Sequence, residues 1–182
     1  MKVFNLILSR RTIRQFKPKP VPRSILKKII DAARLAPSAA NRQPLEFLVV
    51  DDKEVVDRIF PCLKWAGYIV PEGNPRPGRE PTSYIITLIN SKVRKSGFEW
   101  DAGAAIENMI LSALEEGIGS CWLASVDREK VRDIFGLPED YTIDSILALG
   151  YPDESPVVEE LVDSVEYWKD EHGRIHVPKR KL

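Results

Sequence analysis

A long apolar helix is the feature of this chain that most restricts its fold. The segment from Asp101 to Glu116 carries apolar residues around most of its circumference. These residues are Ala102, Ala105, Ile106, Met109, Ile110, Ala113 and Leu114. Such a helix has to be buried on more than one side, because a single packing partner would leave much of its apolar surface in water. We expect Asp101 to cap the helix and Gly117 and Gly119 to end it. The chain is therefore predicted to form layers around a central helix.

Shorter helical and strand patterns surround the central helix in the sequence. Helical spacing of apolar residues predicts further helices at 3–10, 24–36, 55–63 and 127–135. Short apolar runs predict strands at 47–50, 83–89, 120–124 and 143–149. This order is typical of an α+β domain of three layers with a mixed sheet around the central helix.

Length and composition limit the possible functions. The 182 residues fit a single domain, 1–182, with the polar segment 154–182 as a C-terminal extension. Lysine and arginine total 27, as do aspartate and glutamate, so the bulk charge does not predict a nucleic-acid partner. We expect no membrane span and no signal peptide. Cys62 and Cys121 are far apart and form no CxxC motif, so we expect no metal site and a cytoplasmic location.

An arginine-rich segment, residues 9–16, follows the first predicted helix. It reads SRRTIRQF, so three arginines and a threonine lie within five residues. Arginine offers a rigid fork of N–H donors that matches phosphate oxygens. Because the overall charge is balanced, Arg10, Arg11 and Arg14 indicate a local phosphate site. The alternative is a solvated basic face at a helix C-terminus, where the helix dipole favours cations.

A loop of small residues and amides, residues 36–44, precedes the first predicted strand. It reads APSAANRQP. Small side chains let the backbone approach a flat ligand, while Asn41 and Gln43 can form hydrogen bonds with its edge. In the alternative interpretation, these amides satisfy backbone groups of the loop itself. Together, the arginine segment and this amide loop indicate a phosphorylated heterocyclic cofactor held at both ends.

Five segments, in this order, resemble the nitroreductase family of FMN-dependent oxidoreductases. They are 9–14 (SRRTIR), 36–44 (APSAANRQP), 101–108 (DAGAAIEN), 117–123 (GIGSCWL) and 149–152 (LGYP). The resemblance spans about residues 3–153. It implies a three-layer α/β/α fold, a mixed but mainly antiparallel sheet, and an intertwined homodimer with FMN at the interface. The implied reaction passes a hydride from NADH or NADPH through FMN to a nitroaromatic, a quinone or a similar small acceptor. No catalytic side chain is implied, because the flavin carries the hydride.

The resemblance also implies how the cofactor is bound. Arg10, Arg11 and Thr12 would contact the phosphate and ribityl chain, and Arg14 would lie at the pyrimidine edge of the flavin. A fixed cation there favours the negative charge of the reduced flavin. The flavin would be lined by Pro37, Ser38, Ala39 and Asn41. Gln43 would lie nearby and would come from the partner subunit. The end of a strand, at Leu123 and Ala124, would face flavin N5, and Lys179 or Arg180 would add a phosphate contact.

Two other functions fit the same scaffold. One is a flavin enzyme that fragments its flavin or dehalogenates its substrate, and the other is a non-redox FMN-binding regulatory module. The chain departs from the family at Leu45, where tryptophan is frequent, and at Ala124, where glycine is frequent. These changes affect the shape of the acceptor site more than flavin binding. The proline-rich loop 71–81 would cover the site in place of a longer helical insertion.

Overall fold

Five α-helices and seven strands lie within residues 2–181, the part of the chain that the computed structural model describes; Met1 and Leu182 lie outside it. The helices are α1 (Val3–Ser9), α2 (Arg23–Arg34), α3 (Lys53–Ile59), α4 (Glu99–Glu115) and α5 (Arg128–Phe135). The strands are β1 (Leu45–Val50), β2 (Ser83–Asn90), β3 (Gly119–Leu123), β4 (Tyr141–Gly150), β5 (Val157–Glu160), β6 (Trp168–Lys169) and β7 (Ile175–Lys179). Short 3₁₀ turns lie at Ala39–Asn41 and Phe60–Cys62. None of the described helices is long and apolar enough to cross a membrane.

A four-stranded sheet forms the middle layer. Its strand order is β1-β2-β4-β3, and every neighbouring pair is antiparallel. Strand β2 is buried from Ser83 to Ile89, because helices cover both faces of the sheet. The four strands of the main sheet are all antiparallel, whereas we expected a mixed, mainly antiparallel sheet. Within the described chain, parallel pairing occurs between Thr12 and Ser120 and between β5 and β7.

Helices pack on both faces of this sheet. Side chains alternate along a strand, so Ile85 of β2 faces one side, where it joins a core that includes Met109 of α4 and residues of α2. Tyr84 and Ile86 face the other side and join a core with Ile59 of α3 and residues of α5. The predicted three-layer α+β architecture is confirmed.

Helix α4 is the buried central helix that the sequence predicts. Ile106 and Met109 are completely buried. The predicted cap was wrong: α4 begins at Glu99, with Phe98 in the cap position. Asp101 lies inside the first turn, where its carboxylate contacts a cation and a loop N–H outside the helix (described below). Those partners satisfy the carboxylate more fully than the helix N-terminus could, because one of them carries a full positive charge.

The C-terminal extension contains strands that the sequence analysis did not predict. Strands β5, β6 and β7 form a second sheet in the order β5-β7-β6. Lys169 Nζ donates to the carbonyl of Glu72 at 2.5 Å, and the Tyr167 ring packs on Tyr68 at 5.0 Å between centroids. These strands are two to five residues long and mix apolar with polar residues, so their pairing rather than their pattern defines them. Docking of the extension on a partner subunit stays a prediction.

Candidate functional site

The arginine segment runs along the sheet edge formed by β3. Thr12 forms a parallel bridge with Ser120, and the Ile13 N–H donates to the Ser120 carbonyl at 2.9 Å. Gly119 permits this approach, since a Cβ there would lie 2.9 Å from the Ile13 side chain. Gly119 was predicted only to end a helix. In the structure it lets the arginine segment lie against the sheet.

A cavity of about 280 Å³, the arginine cavity, opens beside Arg10 and Arg11. Arg10 Nε lies 3.8 Å from the Glu107 carboxylate of α4, and Arg11 donates to the carbonyls of Leu8 and Arg10 at 2.8 and 2.6 Å. Burial lowers the pKa of Arg11, and the adjacent charge of Arg10 lowers it further. Glu107 pairs with Arg10, and Glu154 is the carboxylate that lines the cavity itself. The forked N–H donors of Arg10 and Arg11 suit a phosphate.

Arg14 lies close to several buried groups. Its Nε is buried and has no hydrogen-bond partner among the described residues. Its guanidinium lies 5.0 Å from the centroid of the Tyr167 ring. The backbone N–H groups of Arg14 and Gln15 both donate to one carboxylate oxygen of Glu154. Burial raises the pKa of Glu154, although these hydrogen bonds and the Arg14 charge oppose the rise. An unpaired buried N–H costs about 1–3 kcal/mol, so Arg14 Nε is suited to donate to a bound ligand.

The amide loop has a strained backbone. Ala40, Asn41 and Gln43 have φ values of 53°, 53° and 50°, in the left-handed region that non-glycine residues seldom adopt. Ser38 Oγ accepts from the Gln43 backbone N–H at 3.0 Å, and Gln43 Nε2 donates to Asn41 Oδ1 at 3.3 Å. Gln43 Nε2 also lies 3.5 Å from the Asn41 carbonyl, a contact with loop backbone of the kind that the alternative interpretation predicts. Both amide residues are still exposed and available to a ligand.

Helix α4 anchors the amide loop and the arginine segment together. Near its N-terminus, Asp101 accepts from the Ala39 N–H at 3.1 Å and pairs with Arg94 at 3.1 Å. Six residues later, Glu107 pairs with Arg10. A rise of 1.5 Å per residue places these two anchors about 9 Å apart along the helix. The helix therefore sets the spacing between the two elements within one chain.

The motif at 101–108 contains polar side chains that anchor neighbouring elements in the structure. Asn108 donates to the Ala32 carbonyl at 3.2 Å and thereby holds the last turn of α2, which leads into the amide loop. The role of Asp101 was missed because its position suggested a helix cap. Three polar residues on a mostly apolar helix were the signal that could have revealed these anchors.

The amide loop borders a cavity of its own. This loop cavity of about 230 Å³ is lined by Pro37, Ser38 and Gln43, with Phe47 from β1. Within the described chain, it shares no lining residue with the arginine cavity. The two predicted ends of the cofactor site are therefore separate surfaces of one chain.

The remaining predicted binding residues lie in two places. Leu123 ends β3 with its side chain in the core, and the exposed Ala124 follows it. The Ala124 carbonyl accepts from Arg128 at 3.2 Å. Lys179 ends β7, and both Lys179 and Arg180 are exposed and line neither cavity. Their phosphate contact stays a prediction.

The two cysteines are buried free thiols. Burial raises the pKa of Cys121 to about 11, although the charge of Arg14 opposes the shift. A thiol with such a pKa is unreactive at neutral pH. Among residues 2–181, no group of three histidine, cysteine or acidic side chains is placed to hold a metal ion.

The fold is that of a class of flavin-dependent oxidoreductases. The model of the nitroreductase family matches residues 7–151. A chain of Archaeoglobus fulgidus, provisionally named an NADH dehydrogenase/NAD(P)H nitroreductase, is 34% identical over 154 residues, which cover 81% of this chain and 83% of the relative. A chain of the same provisional name from Methanothermobacter thermautotrophicus is 32% identical over 185 residues, 98% and 88% of the two chains.

A solved structure gives the same result. The structure described as an FMN-dependent nitroreductase of Clostridium difficile has a TM-score of 0.71 and 28% identity, and the match covers 83% of this chain and 88% of that one. The chain belongs to the nitroreductase family. The protein is an NAD(P)H-dependent oxidoreductase that uses FMN, as the sequence predicts.

Proposed function

We propose that the chain reduces a nitroaromatic, a quinone or a similar small acceptor with electrons from NADH or NADPH. The observation that carries the proposal is the arginine cavity, which two adjacent guanidinium groups, Arg10 and Arg11, line together with one carboxylate, Glu154. A phosphate monoester matches the forked donors of these two arginines. The buried Arg14 Nε adds a donor for a second part of the same ligand.

These residues fit FMN. Arg10, Arg11 and Thr12 would hold its phosphate and ribityl chain, and Arg14 would donate to the pyrimidine edge of the ring. When bound, FMN supplies the hydride-transfer chemistry. The protein contributes position and charge: Arg14 is half-buried, and a fixed cation acts more strongly there than in water. No side chain has to act as a general acid or base, since solvent can deliver the protons.

We infer that the complete site needs two copies of the chain. The arginine cavity and the amide loop do not meet within one subunit, and α1 exposes an apolar face next to the arginine segment. The exposed fractions of Val3, Phe4, Ile7 and Leu8 are 66%, 66%, 50% and 56%. A partner subunit that covers this face would also bring its amide loop to the arginine cavity. The cytoplasmic location stays a prediction.

The visible spectrum of the purified protein tests the proposal, with NADH or NADPH added under anaerobic conditions. Flavin bands that bleach, followed by repeated turnover with a nitroaromatic or a quinone, support it. Bands that do not bleach favour the regulatory module, and consumption of the flavin itself favours a flavin-fragmenting enzyme. Release of halide from a halogenated aromatic without nitro or quinone turnover favours a dehalogenase. A colourless protein that does not take up FMN contradicts all of these functions.

Variants of the arginine segment test the site assignment. Arg10→Ala and Arg14→Ala each remove a charged hydrogen bond, so FMN affinity should fall about tenfold to hundredfold. Arg58→Ala removes an exposed arginine of α3 as the matched control and should leave the affinity unchanged. Fluorescence titration of FMN measures the effect. Full FMN affinity in both variants would show that the arginine cavity is not the cofactor site.

A further inference from the structure

A polar cavity of about 260 Å³ adjoins the arginine cavity, with which it shares Glu154 and Ser155. It is bounded by the proline-rich loop, by residues 153–155 after β4, and by the turn between β6 and β7. Three permanent cations line it: Arg76, Lys169 and Arg174. No motif identified in the sequence includes these three residues.

A buried glutamine positions the first of these cations. Gln15 is only 3% exposed. Its side-chain oxygen accepts from the backbone N–H of Arg76 at 3.1 Å and from Arg76 Nε at 3.4 Å, and its Nε2 donates to the Asn74 carbonyl at 2.8 Å. A buried amide with all of these bonds ties the loop to the arginine segment. The same bonds hold the base of the Arg76 side chain at the cavity wall.

The other two cations come from the C-terminal sheet. Lys169 is fixed by its bond to the Glu72 carbonyl, on the same proline-rich loop. Arg174 is placed by its backbone N–H, which donates to Asp170 at 2.7 Å. Among residues 2–181, neither Arg76 nor Arg174 forms an ion pair with a carboxylate. Both arginines are exposed and line the cavity.

The acidic groups of the cavity are engaged elsewhere. Asp153 pairs with Arg79, which lies outside the lining. Glu154 accepts two backbone N–H groups of the arginine segment and interacts electrostatically with Lys169, which leaves Arg76 and Arg174 as the cations without an acidic partner among residues 2–181. His172 also lines the cavity, but its side chain is 83% exposed and lies beside Glu171. The cavity therefore presents unpaired positive charge.

We propose that this cavity binds a phosphate or carboxylate group of the enzyme's reductant or acceptor through Arg76 and Arg174, with Lys169 beside them. The forked N–H donors of the two arginines suit such planar or tetrahedral anions. The proposal rests on the proposed function, because Gln15 follows Arg14 directly and Glu154 joins the two residues. The anionic group is either the 2′-phosphate of NADPH or an acidic substituent on the acceptor.

Steady-state kinetics on the FMN-loaded protein separate the two sources. In the double variant Arg76→Gln/Arg174→Gln, binding of the 2′-phosphate predicts a KM for NADPH that rises about fivefold to tenfold while the KM for NADH stays constant. Binding of an acidic acceptor predicts the same rise for 4-nitrobenzoate but not for the neutral 4-nitrobenzamide. The affected KM should also lose most of its dependence on ionic strength. The values of kcat should change little, since contacts remote from the reacting atoms bind ground and transition states alike.

Two further sets of variants control for charge and structure. Arg58→Gln/Lys64→Gln removes two exposed cations away from the cavity and should change neither KM. Arg76→Lys/Arg174→Lys keeps the charge and should retain part of the discrimination. If the double Gln variant has a lower Tm than the native protein and the double Lys variant does not, loss of folded protein would confuse the Gln result. The KM values of the Lys variant and the ionic-strength dependence of the native enzyme then decide whether the cavity binds an anion.

Calorimetric titration gives a readout that does not need turnover. The native protein, with and without FMN, should bind adenosine 2′-phosphate more tightly than adenosine, or 4-nitrobenzoate more tightly than 4-nitrobenzamide. The double Gln variant should lose that preference. Such binding in a protein without reductase activity would contradict the proposed function but support an anion site. Equal affinities, together with unchanged KM ratios, would overturn the anion site even if the enzyme is an active reductase.

Discussion

Loss of the Asp101 carboxylate should weaken both the fold and the cofactor site. The Asp101 and Arg94 side chains are 6% and 17% exposed and lie 3.1 Å apart, so Asp101→Ala leaves a mostly buried cation without its partner. Breaking a buried pair costs about 3–5 kcal/mol, and the exposure of Arg94 places this site near the lower value. We expect Asp101→Ala to lower the free energy of unfolding by about 3 kcal/mol, which corresponds to about 6–12 °C in Tm.

The effect on FMN has a separate cause. Without the Asp101 oxygen, the Ala39 N–H loses its acceptor and the strained amide loop loses its anchor. If the released loop has to be ordered again at a cost of about 1.4 kcal/mol, FMN affinity falls about tenfold. Asp101→Asn keeps an oxygen for Ala39 but not the charge for Arg94. It should therefore retain most of the FMN affinity while losing part of the stability.

Urea unfolding of the FMN-free protein and fluorescence titration of FMN measure the two effects. Asp133→Ala removes an exposed acid from α5 and serves as the control, with no expected change in either quantity. Equal FMN affinities in Asp101→Ala and the native protein would refute the anchoring of the loop. Equal stabilities would refute the energetic importance of the buried pair.

Two further predictions concern the arginine segment and the C-terminal sheet. Gly119→Ala should separate the arginine segment from β3, lower the free energy of unfolding by about 1–3 kcal/mol and weaken FMN binding. Gly67→Ala, where a Cβ meets open space, is the control and should change neither stability nor FMN affinity. Thermal unfolding and FMN titration measure the two quantities. Burial lowers the pKa of His176, but hydrogen bonds with Asp170 and Glu159 outweigh it, so the pKa lies above 6.5. The stabilisation of the fold by protonated His176 is complete below about pH 6.5 and is lost as pH rises through the raised pKa. Tm should therefore fall more between about pH 6 and pH 9 in the native protein than in His176→Asn. Parallel Tm curves for the two proteins would contradict this.

Much of the fold could be predicted because its signals are local. Each of the strongest signals lies within one element: the apolar circumference of α4 and the apolar run of β2. Such segments are buried whichever elements pack against them, so their structure can be predicted without knowing the neighbours. The arginine segment was recognisable for the same reason, since its phosphate-matching groups are adjacent in sequence. The C-terminal strands were not predictable, because strands of two to five residues are too short to show a pattern and are defined by their partners.

The sequence by itself determined the class of fold, the nitroreductase resemblance and FMN as the cofactor. Only the tertiary structure decided that Asp101 holds the amide loop rather than a helix end, and that Gly119 lets the arginine segment reach the sheet. It also decided that Gln15 holds Arg76, 61 residues away, at a polar cavity. Contacts between distant residues depend on how layers stack in space, and a single sequence carries no periodic pattern for them.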